Sequence, residues 1–320
     1  MMKTNQLVFA IILPAYNEES TIAQTIESFH SAVPEAHIYV IDNNSNDATG
    51  KIAADLLNRL GCQGGLISEA RQGKGNALRR AFQTIDADVY LLADADLTYP
   101  AGMARELIAP IINDEADMVV GDRRSGGNYG RENKRPLHGF GNALVQWLVN
   151  YLFRSKLADI MSGYRALSRV FVKNYPVLVE GFEIETDMTL HALHKRFKIV
   201  EIPVMYRDRP EGSVSKLNTF ADGTKVIFTI LQILRYYRPL MFFGGAAVAF
   251  CAAGLLCSIP VINDWINFRY IYHVPLAILA TGLEITAIMM LSIGLILDSL
   301  VHQHLCEYER SLLKSRLNHN

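Results

Sequence analysis

From Phe9 to Val120, short apolar runs alternate with stretches whose apolar residues recur every three or four positions. Phe9–Leu13, Ile38–Ile41, Val89–Ala93 and Met118–Val120 are too short for helices and rich in β-formers, which predicts buried strands. Between them, Ile22, Ile26 and Phe29, then Ile52, Leu56 and Leu60, then Leu78, Ala81, Phe82 and Ile85 keep a helical period. A short strand at Leu66–Ile67 is expected between the second and third helices. This alternation predicts an α/β fold with a Rossmann-like, mostly parallel sheet covered on both faces. Ligands of such sheets bind beyond the carboxyl ends of the strands. The polar clusters Ala15–Glu19, Asp42–Asp47 and Asp94–Asp96 fall at those ends. No GxGxxG follows the first strand, which disfavours a nicotinamide dehydrogenase. Residues 122–220 are less regular. Gly126, Gly127 and Gly130, flanked by Arg123, Arg124, Arg131, Lys134 and Arg135, read as a basic lid or a plain solvated loop. A helix from about Gly139 to Phe153 is expected next.

The C-terminal third changes character. Leu240–Val261 carries no charge, and Pro275–Leu297 carries only Glu284. Each exceeds the ~20 apolar residues that span a bilayer, so two transmembrane helices are predicted rather than two buried core helices. The connection NDWINFRYIYHV is aromatic (Trp265, Phe268, Tyr270, Tyr272), as suits a membrane interface. Lys225, Arg235 and Arg238 precede the first span, and Arg310, Lys314 and Arg316 follow the second. The positive-inside rule then puts both flanks, and the large N-terminal domain, in the cytoplasm. The apolar run Leu7–Leu13 is too short for a signal peptide's anchor and reads as a strand. Asp222–Tyr237 repeats apolar residues at Val226, Ile227, Ile230, Leu231 and Leu234, which fits an amphipathic helix on the membrane surface or one facing a core. The expected division is a catalytic domain over 1–220, a juxtamembrane helix over 221–238, two spans over 239–298 and a tail over 299–320. Glu284 is costly in mid-span. A helix–helix hydrogen bond with Thr281 or Thr286 is favoured over contact with a head group or another protomer.

Composition agrees with this division. The 320 residues are 50% hydrophobic and 20% charged, and the mean hydropathy is +0.13. A charged globular part joined to a very apolar one gives such values, and a disordered chain does not. A net charge of −1 leaves no basic footprint for nucleic acid. Four cysteines without CxxC spacing argue against a disulfide framework or a zinc site.

Candidate chemistry then clusters in five places. Asp94 and Asp96 can offer hard oxygen ligands to Mg²⁺ or Mn²⁺ carrying a diphosphate, although DxD also occurs as a capped turn. Asp42-Asn43-Asn44-Ser45-Asn46-Asp47 can hydrogen-bond a base and ribose, with Asp47 or Asn46 also suited to capping the next helix. Arg71-Gln-Gly-Lys74-Gly75-Asn76 puts glycines and cations at a helix start, where a phosphate could approach. Arg123, Arg131, Arg135, Arg165, Arg207, Arg209 and Lys216 form a basic set able to grip phosphate. Glu183, Glu185 and Asp187 would share one face of a strand, and one could act as a base; the alternative is an exposed loop.

Six motifs in order carry a resemblance: LPAYNEE (Leu13–Glu19), VIDNNSNDAT (Val40–Thr49), GKGNAL (Gly73–Leu78), ADADLTYP (Ala93–Pro100), SGYRALSR (Ser162–Arg169) and GSVSKL (Gly212–Leu217). Over roughly residues 7–238 the chain resembles family-2 glycosyltransferases of the GT-A fold. It looks most like polyisoprenyl-phosphate glycosyltransferases, the group of dolichyl-phosphate mannose synthase and bacterial undecaprenyl-phosphate glucosyltransferases. The resemblance implies that Pro14, Ala15, Tyr16, Glu18, Asp42, Asn44, Lys74 and Asp94 bind the nucleotide, and that Asp96, with Asp94, holds Mg²⁺ or Mn²⁺. Arg123, Arg131, Arg135, Arg165, Arg207, Ser215 and Lys216 would bind acceptor phosphate or diphosphate. Thr98 departs from the glutamine that members often carry there. The implied catalytic set is Asp94, Asp96, Arg123 and Arg135, with Glu185 as the candidate base.

The implied activity is metal-dependent transfer of one hexose or N-acetylhexosamine, with inversion, from a UDP-sugar to undecaprenyl phosphate. The QxxRW motif of processive synthases is absent, which fits a single transfer. The setting would be the cytoplasmic face of a bacterial inner membrane, serving cell-envelope glycans such as lipopolysaccharide, with homo-oligomers compatible. Rivals are a GDP-mannose donor, another glycolipid or glycan acceptor, and a membrane scaffold whose nucleotide site no longer turns over.

Overall fold

The computed structural model describes residues 7–126, 136–181, 183–205 and 229–317, with side chains omitted at 136–140 and 314–317. Arg131, Arg135, Arg207, Arg209, Ser215, Lys216 and the first part of the expected juxtamembrane helix lie outside the described residues. Two compact units emerge, Met1–Asn218 and Thr219–Asn320.

In the first unit, β1 (Phe9–Ala15), α1 (Ile22–Ala32), β2 (His37–Asp42), α2 (Thr49–Leu60), β3 (Gly64–Ser68), α3 (Lys74–Thr84) and β4 (Val89–Leu92) follow the expected alternation. Next come a 3₁₀ turn, α4 (Ala104–Ile112), β5 (Met118–Asp122), α5 (Pro136–Phe153), β6 (Arg165–Ser168), α6 (Arg169–Asn174), α7 (Ile184–His194) and β7 (Ile199–Pro203). The seven strands lie in the order β3-β2-β1-β4-β6-β5-β7. All neighbours are parallel except β6, which runs antiparallel to both β4 and β5. Strand β6 carries no local signal: its four residues, Arg-Ala-Leu-Ser, contain no apolar run.

Period two explains the two cores. Along β1, Ile11 and Leu13 face one layer, with Ile22, Ile26 and Leu56 from α1 and α2. Ala10 and Ile12 face the other, with Leu78 and Phe82 of α3 and Met188 of α7. Both faces are covered, so the strands read as continuous apolar runs.

The acidic run is a correction. Glu183, Glu185 and Asp187 do not alternate along a strand. Glu183 precedes α7, and Glu185 and Asp187 stand in its first turn, where carboxylates meet the positive end of the helix. Ile184, Met188 and Ala192 recur every fourth residue and are buried, and that burial drives the helix. Farther along, His191 is enclosed by Phe171, Tyr175 and Phe197, at 5.8, 5.1 and 6.1 Å between ring centroids. Burial first, then the charges of Lys195 and His194, pushes its pKa down to about 4. A base depressed on folding contributes stability that is present above its unfolded pKa, near 6.5, and lost as pH falls toward 4. His191→Phe should therefore move the acid-unfolding midpoint to lower pH, as followed by circular dichroism. An unchanged midpoint would show that His191 has no part in acid sensitivity.

The second unit holds a helical segment at 229–237, then α8 (Pro239–Phe268) and α9 (Val274–Leu317). Helices α8 and α9 pack on each other. Both are long and apolar enough to cross a membrane, and only 11% of each apolar window is buried, unlike the core helices of a soluble domain. Trp265 and Phe268 belong to α8, so the connection shortens to residues 269–273. Asp264 closes it by accepting from the Tyr272 and His273 amides at 2.9 and 3.1 Å and pairing with His273 Nδ1 at 2.8 Å. Glu284 does not bond to the expected threonines. The Thr281 and Thr286 hydroxyls donate to Ala277 and Gly282 carbonyls of their own helix. Glu284 leans instead on Gly254 of α8, where an added Cβ would sit 2.6 Å from Oε1. A side chain there would push the Glu284 carboxyl from this position.

Candidate active site

The carboxyl ends of β1, β2 and β4 lie side by side, because Ala15 is in register with Asp42 and Ile12 with Leu92. The loops after β1 and β2 are stapled together. Asn17 N donates to Ser45 Oγ at 3.1 Å, and Asn46 N donates to Asn17 Oδ1 at 2.8 Å. Asn17 and Asn44 hold φ of 53° and 60°, left-handed values that asparagine tolerates. Glu18 N donates to the Thr49 hydroxyl at 2.8 Å, and Asp47 Oδ1 accepts from Thr49 N at 3.0 Å. Asp47 thus serves the start of α2, as expected of a cap. Asp42 accepts from Ser45 N at 3.2 Å. Pro14, Ala15, Tyr16, Glu18, Asp42 and Asn44 are therefore gathered at one edge. Ala15 is buried and acts there through its backbone, accepting from Asn43 N at 2.9 Å.

The Asp94-Ala-Asp96 turn follows β4 directly. The Ala95 carbonyl accepts from the hydroxyls of Thr21, just before α1, and Thr25, within it, at 2.8 and 3.1 Å, which pins the turn. Asp96 is 3% exposed. Its Oδ1 accepts from Thr98 Oγ1 at 2.5 Å and Thr98 N at 3.2 Å. Thr98 thus orients Asp96. Among the described residues no three His, Cys, Asp or Glu side chains form a metal cage. Two carboxylates at a fixed turn nevertheless suit a divalent ion whose remaining ligands come from a diphosphate and water.

Lys74 sits elsewhere than on an open phosphate loop. Its Nζ lies 2.5 Å from Asp94 Oδ1 and 2.6 Å from Glu185 Oε1. Burial opposes its charge, but Asp94 and Glu185 outweigh that and hold it protonated well above the usual lysine range. The flanking glycines serve packing rather than phosphate. A Cβ on Gly75 would fall 2.1 Å from Val179 O, and one on Gly73 2.1 Å from Glu180 O. Gly163 lies over the ion pair, where a Cβ would meet Lys74 Nζ at 2.8 Å.

Arg123 is gripped by Asp159, with Nε to Oδ2 at 2.7 Å and Nη2 to Oδ1 at 3.0 Å. Asp159 is 3% exposed, and its backbone N–H donates to Glu201. The sequence reading missed this anchor; its signal was an acid shortly before SGYR. The buried Tyr99 hydroxyl feels Asp94, Arg123 and Lys74 together, and burial raises its pKa. The acidic turn and Arg123 therefore share one neighbourhood. Arg165 is a correction. It is wholly buried, donating to Ser162 O, Ile160 O and Thr189 Oγ1 at 2.7, 2.8 and 2.9 Å, so it cannot reach an acceptor phosphate. It braces β6 against α7 instead. Glu185, 5% exposed, is neither a strand residue nor an open base.

Residues 10–175 match the family model described as Glycosyl transferase family 2. Glycosyltransferase AglJ of Haloferax volcanii is 30% identical over 92% of this chain and 94% of its own length. Polyprenol monophosphomannose synthase of Mycolicibacterium smegmatis is 28% identical over 65% of this chain and 80% of its own. Glucosyl-3-phosphoglycerate synthase from Mycobacterium tuberculosis, solved with Mn²⁺ and UDP-glucose, aligns with a TM-score of 0.53 and 22% identity, over 71% of this chain and 78% of that one. That likeness is one of fold.

Proposed function

The chain belongs to glycosyl transferase family 2, with the GT-A fold, and we propose that it transfers one sugar from a UDP-linked donor to a polyprenyl phosphate at the cytoplasmic face of a membrane. One observation carries this most directly: Asp94 and Asp96 stand on a turn directly after β4, at the sheet's carboxyl edge, that Thr21, Thr25 and Thr98 hold in place. An acidic turn of that kind suits a divalent ion that carries a diphosphate. The names of the polyprenyl-linked relatives, and two membrane-length helices in the same chain, support a lipid acceptor. The Mn²⁺ and UDP-glucose of the solved neighbour support the metal and the donor class. The catalytic domain over 1–220, the two spans and cytoplasmic termini of a bacterial inner-membrane protein belong to the same proposal.

The chemistry asks little of a base. An acceptor phosphomonoester is largely ionised at neutral pH. Its oxygen attacks the anomeric carbon as the bond to the diphosphate oxygen breaks, so nucleoside diphosphate leaves and the carbon inverts. Pro14, Tyr16, Glu18 and Asp42 hold base and ribose. Arg123, fixed by Asp159, aligns acceptor phosphate; Arg131, Arg135, Arg207, Ser215 and Lys216 complete the anion site. A divalent ion held by Asp94 and Asp96 would neutralise the departing diphosphate. Orientation of the two substrates contributes the remainder.

Detergent-purified protein, Mn²⁺ or Mg²⁺, and a panel of UDP- and GDP-sugars, with and without undecaprenyl phosphate, test this by release of free nucleoside diphosphate. Release that requires one UDP-sugar and the lipid together is expected. Release with GDP-mannose alone would overturn the donor, and lipid-independent release would overturn the acceptor.

A further inference from the structure

Resting on the transferase assignment above, we propose that Glu185 is a positioning residue that acts through Lys74: it anchors the lysine ammonium so that Asp94 keeps one carboxylate geometry for metal and donor.

The placement supports this. Lys74 opens α3, Asp94 follows β4 and Glu185 lies in the first turn of α7, so three elements meet at one ammonium. The Lys74 side chain is 12% exposed, that of Glu185 7% and that of Asp94 30%. Asp94 is thus the member that faces the open site, and Glu185 is the one sealed behind it. A carboxylate so enclosed and so tightly paired with Lys74 is better placed to hold the ammonium than to take a proton from an acceptor. Gly163 closes the other side, its missing Cβ leaving 2.8 Å to Lys74 Nζ and 3.3 Å to both Asp94 oxygens. A side chain at Gly163 would press on the Lys74 ammonium and shift it from its place between the carboxylates.

The consequence is a shared ammonium. With two carboxylates to serve, Lys74 fixes Asp94 Oδ1 without taking its whole charge. Without Glu185 the ammonium has one partner in a poorly screened setting, where a paired charge is held tightly. Asp94 is then captured by Lys74, and a divalent cation must compete for it.

The test is Mn²⁺ binding to the full chain in detergent, read by electron paramagnetic resonance without any sugar nucleotide, beside turnover and melting temperature. In the Lys74 background, Glu185→Gln should weaken Mn²⁺ about tenfold, equivalent to roughly 1.4 kcal/mol. In the Lys74→Met background the same substitution should change Mn²⁺ affinity less than about twofold, because the intermediary is gone. Equal losses in both backgrounds would overturn the proposal and mark a through-space charge effect. Glu185→Asp guards against a Lys74→Met chain that fails to fold. It keeps the charge but ends one methylene short, and it should weaken Mn²⁺ as Glu185→Gln does; wild-type affinity would overturn the proposal. The acid limb of the pH–rate profile should survive in Glu185→Gln, and its disappearance would restore the role of base. A wild type that binds Mn²⁺ but transfers no sugar would defeat the transferase assignment while the binding cycle still decided the role of Glu185.

Discussion

Asp96→Ala should abolish sugar transfer while leaving a folded protein. Asp96 is buried at the end of a turn that α1 pins through the Ala95 carbonyl, and Thr98 holds its Oδ1. It is placed to take a cation between the protein and a diphosphate. Loss of a preorganised charge partner for a leaving group costs about 10²–10³ in rate, and more where a metal is lost with it. We expect a fall of at least about a thousandfold in nucleoside diphosphate release at saturating Mn²⁺. Asp96→Asn should fall as far, since the amide keeps the shape but not the charge. Stability should change little by comparison, by about 1–3 kcal/mol for a buried polar partner removed from Thr98. Near-normal turnover of Asp96→Ala with metal present would sink the metal assignment.

Gly75→Ala should strongly destabilise the catalytic domain rather than spoil a phosphate site. An alanine Cβ would sit 2.1 Å from Val179 O and 2.8 Å from Val179 C, both backbone atoms that cannot rotate aside. The Gly75 N–H donates to Glu180 O at 2.9 Å, so relief of the clash also breaks that bond. Overpacking combined with loss of a buried hydrogen bond falls in the severe class, about 3–5 kcal/mol. For a domain of this size that lowers the melting temperature by roughly 6–20 °C. Calorimetry of the purified variant measures it. An unchanged melting temperature together with lost nucleotide binding would return Gly75 to the role of a phosphate-loop glycine.

The chain's periodicities were sufficient for β1 to β5 and for α1 to α3, because each of those elements buries its own apolar face and advertises it locally; α4, between β4 and β5, was not read from them. The same holds for the apolar stretches Leu240–Val261 of α8 and Pro275–Leu297 of α9, which are visible without any partner, although α9 continues as helix to Leu317 through the segment expected as a tail. The placement of Asp42, Asp94 and Asp96 at strand ends was equally legible: they follow apolar runs, and a parallel sheet brings such ends to one edge whatever the details of packing. The family resemblance, too, rested on contiguous motifs.

What the tertiary structure decided were contacts between residues far apart in the chain. GKG reads as a phosphate loop until Val179 and Glu180 are seen lying against its glycines. Arg165 reads as one more phosphate-seeking arginine until β6 is found between β4 and β5, where burial turns its guanidinium inward to carbonyls. Asp159 reads as nothing until it grips Arg123. Glu185 reads as a base on a strand until α7 carries it beneath Lys74, and Glu284 seeks a threonine until Gly254 of the neighbouring helix makes room for it. A charged side chain's role depends on its desolvation and on which opposite charge it meets. Both are set by elements that the sequence places tens of residues away, so only the folded chain fixes them.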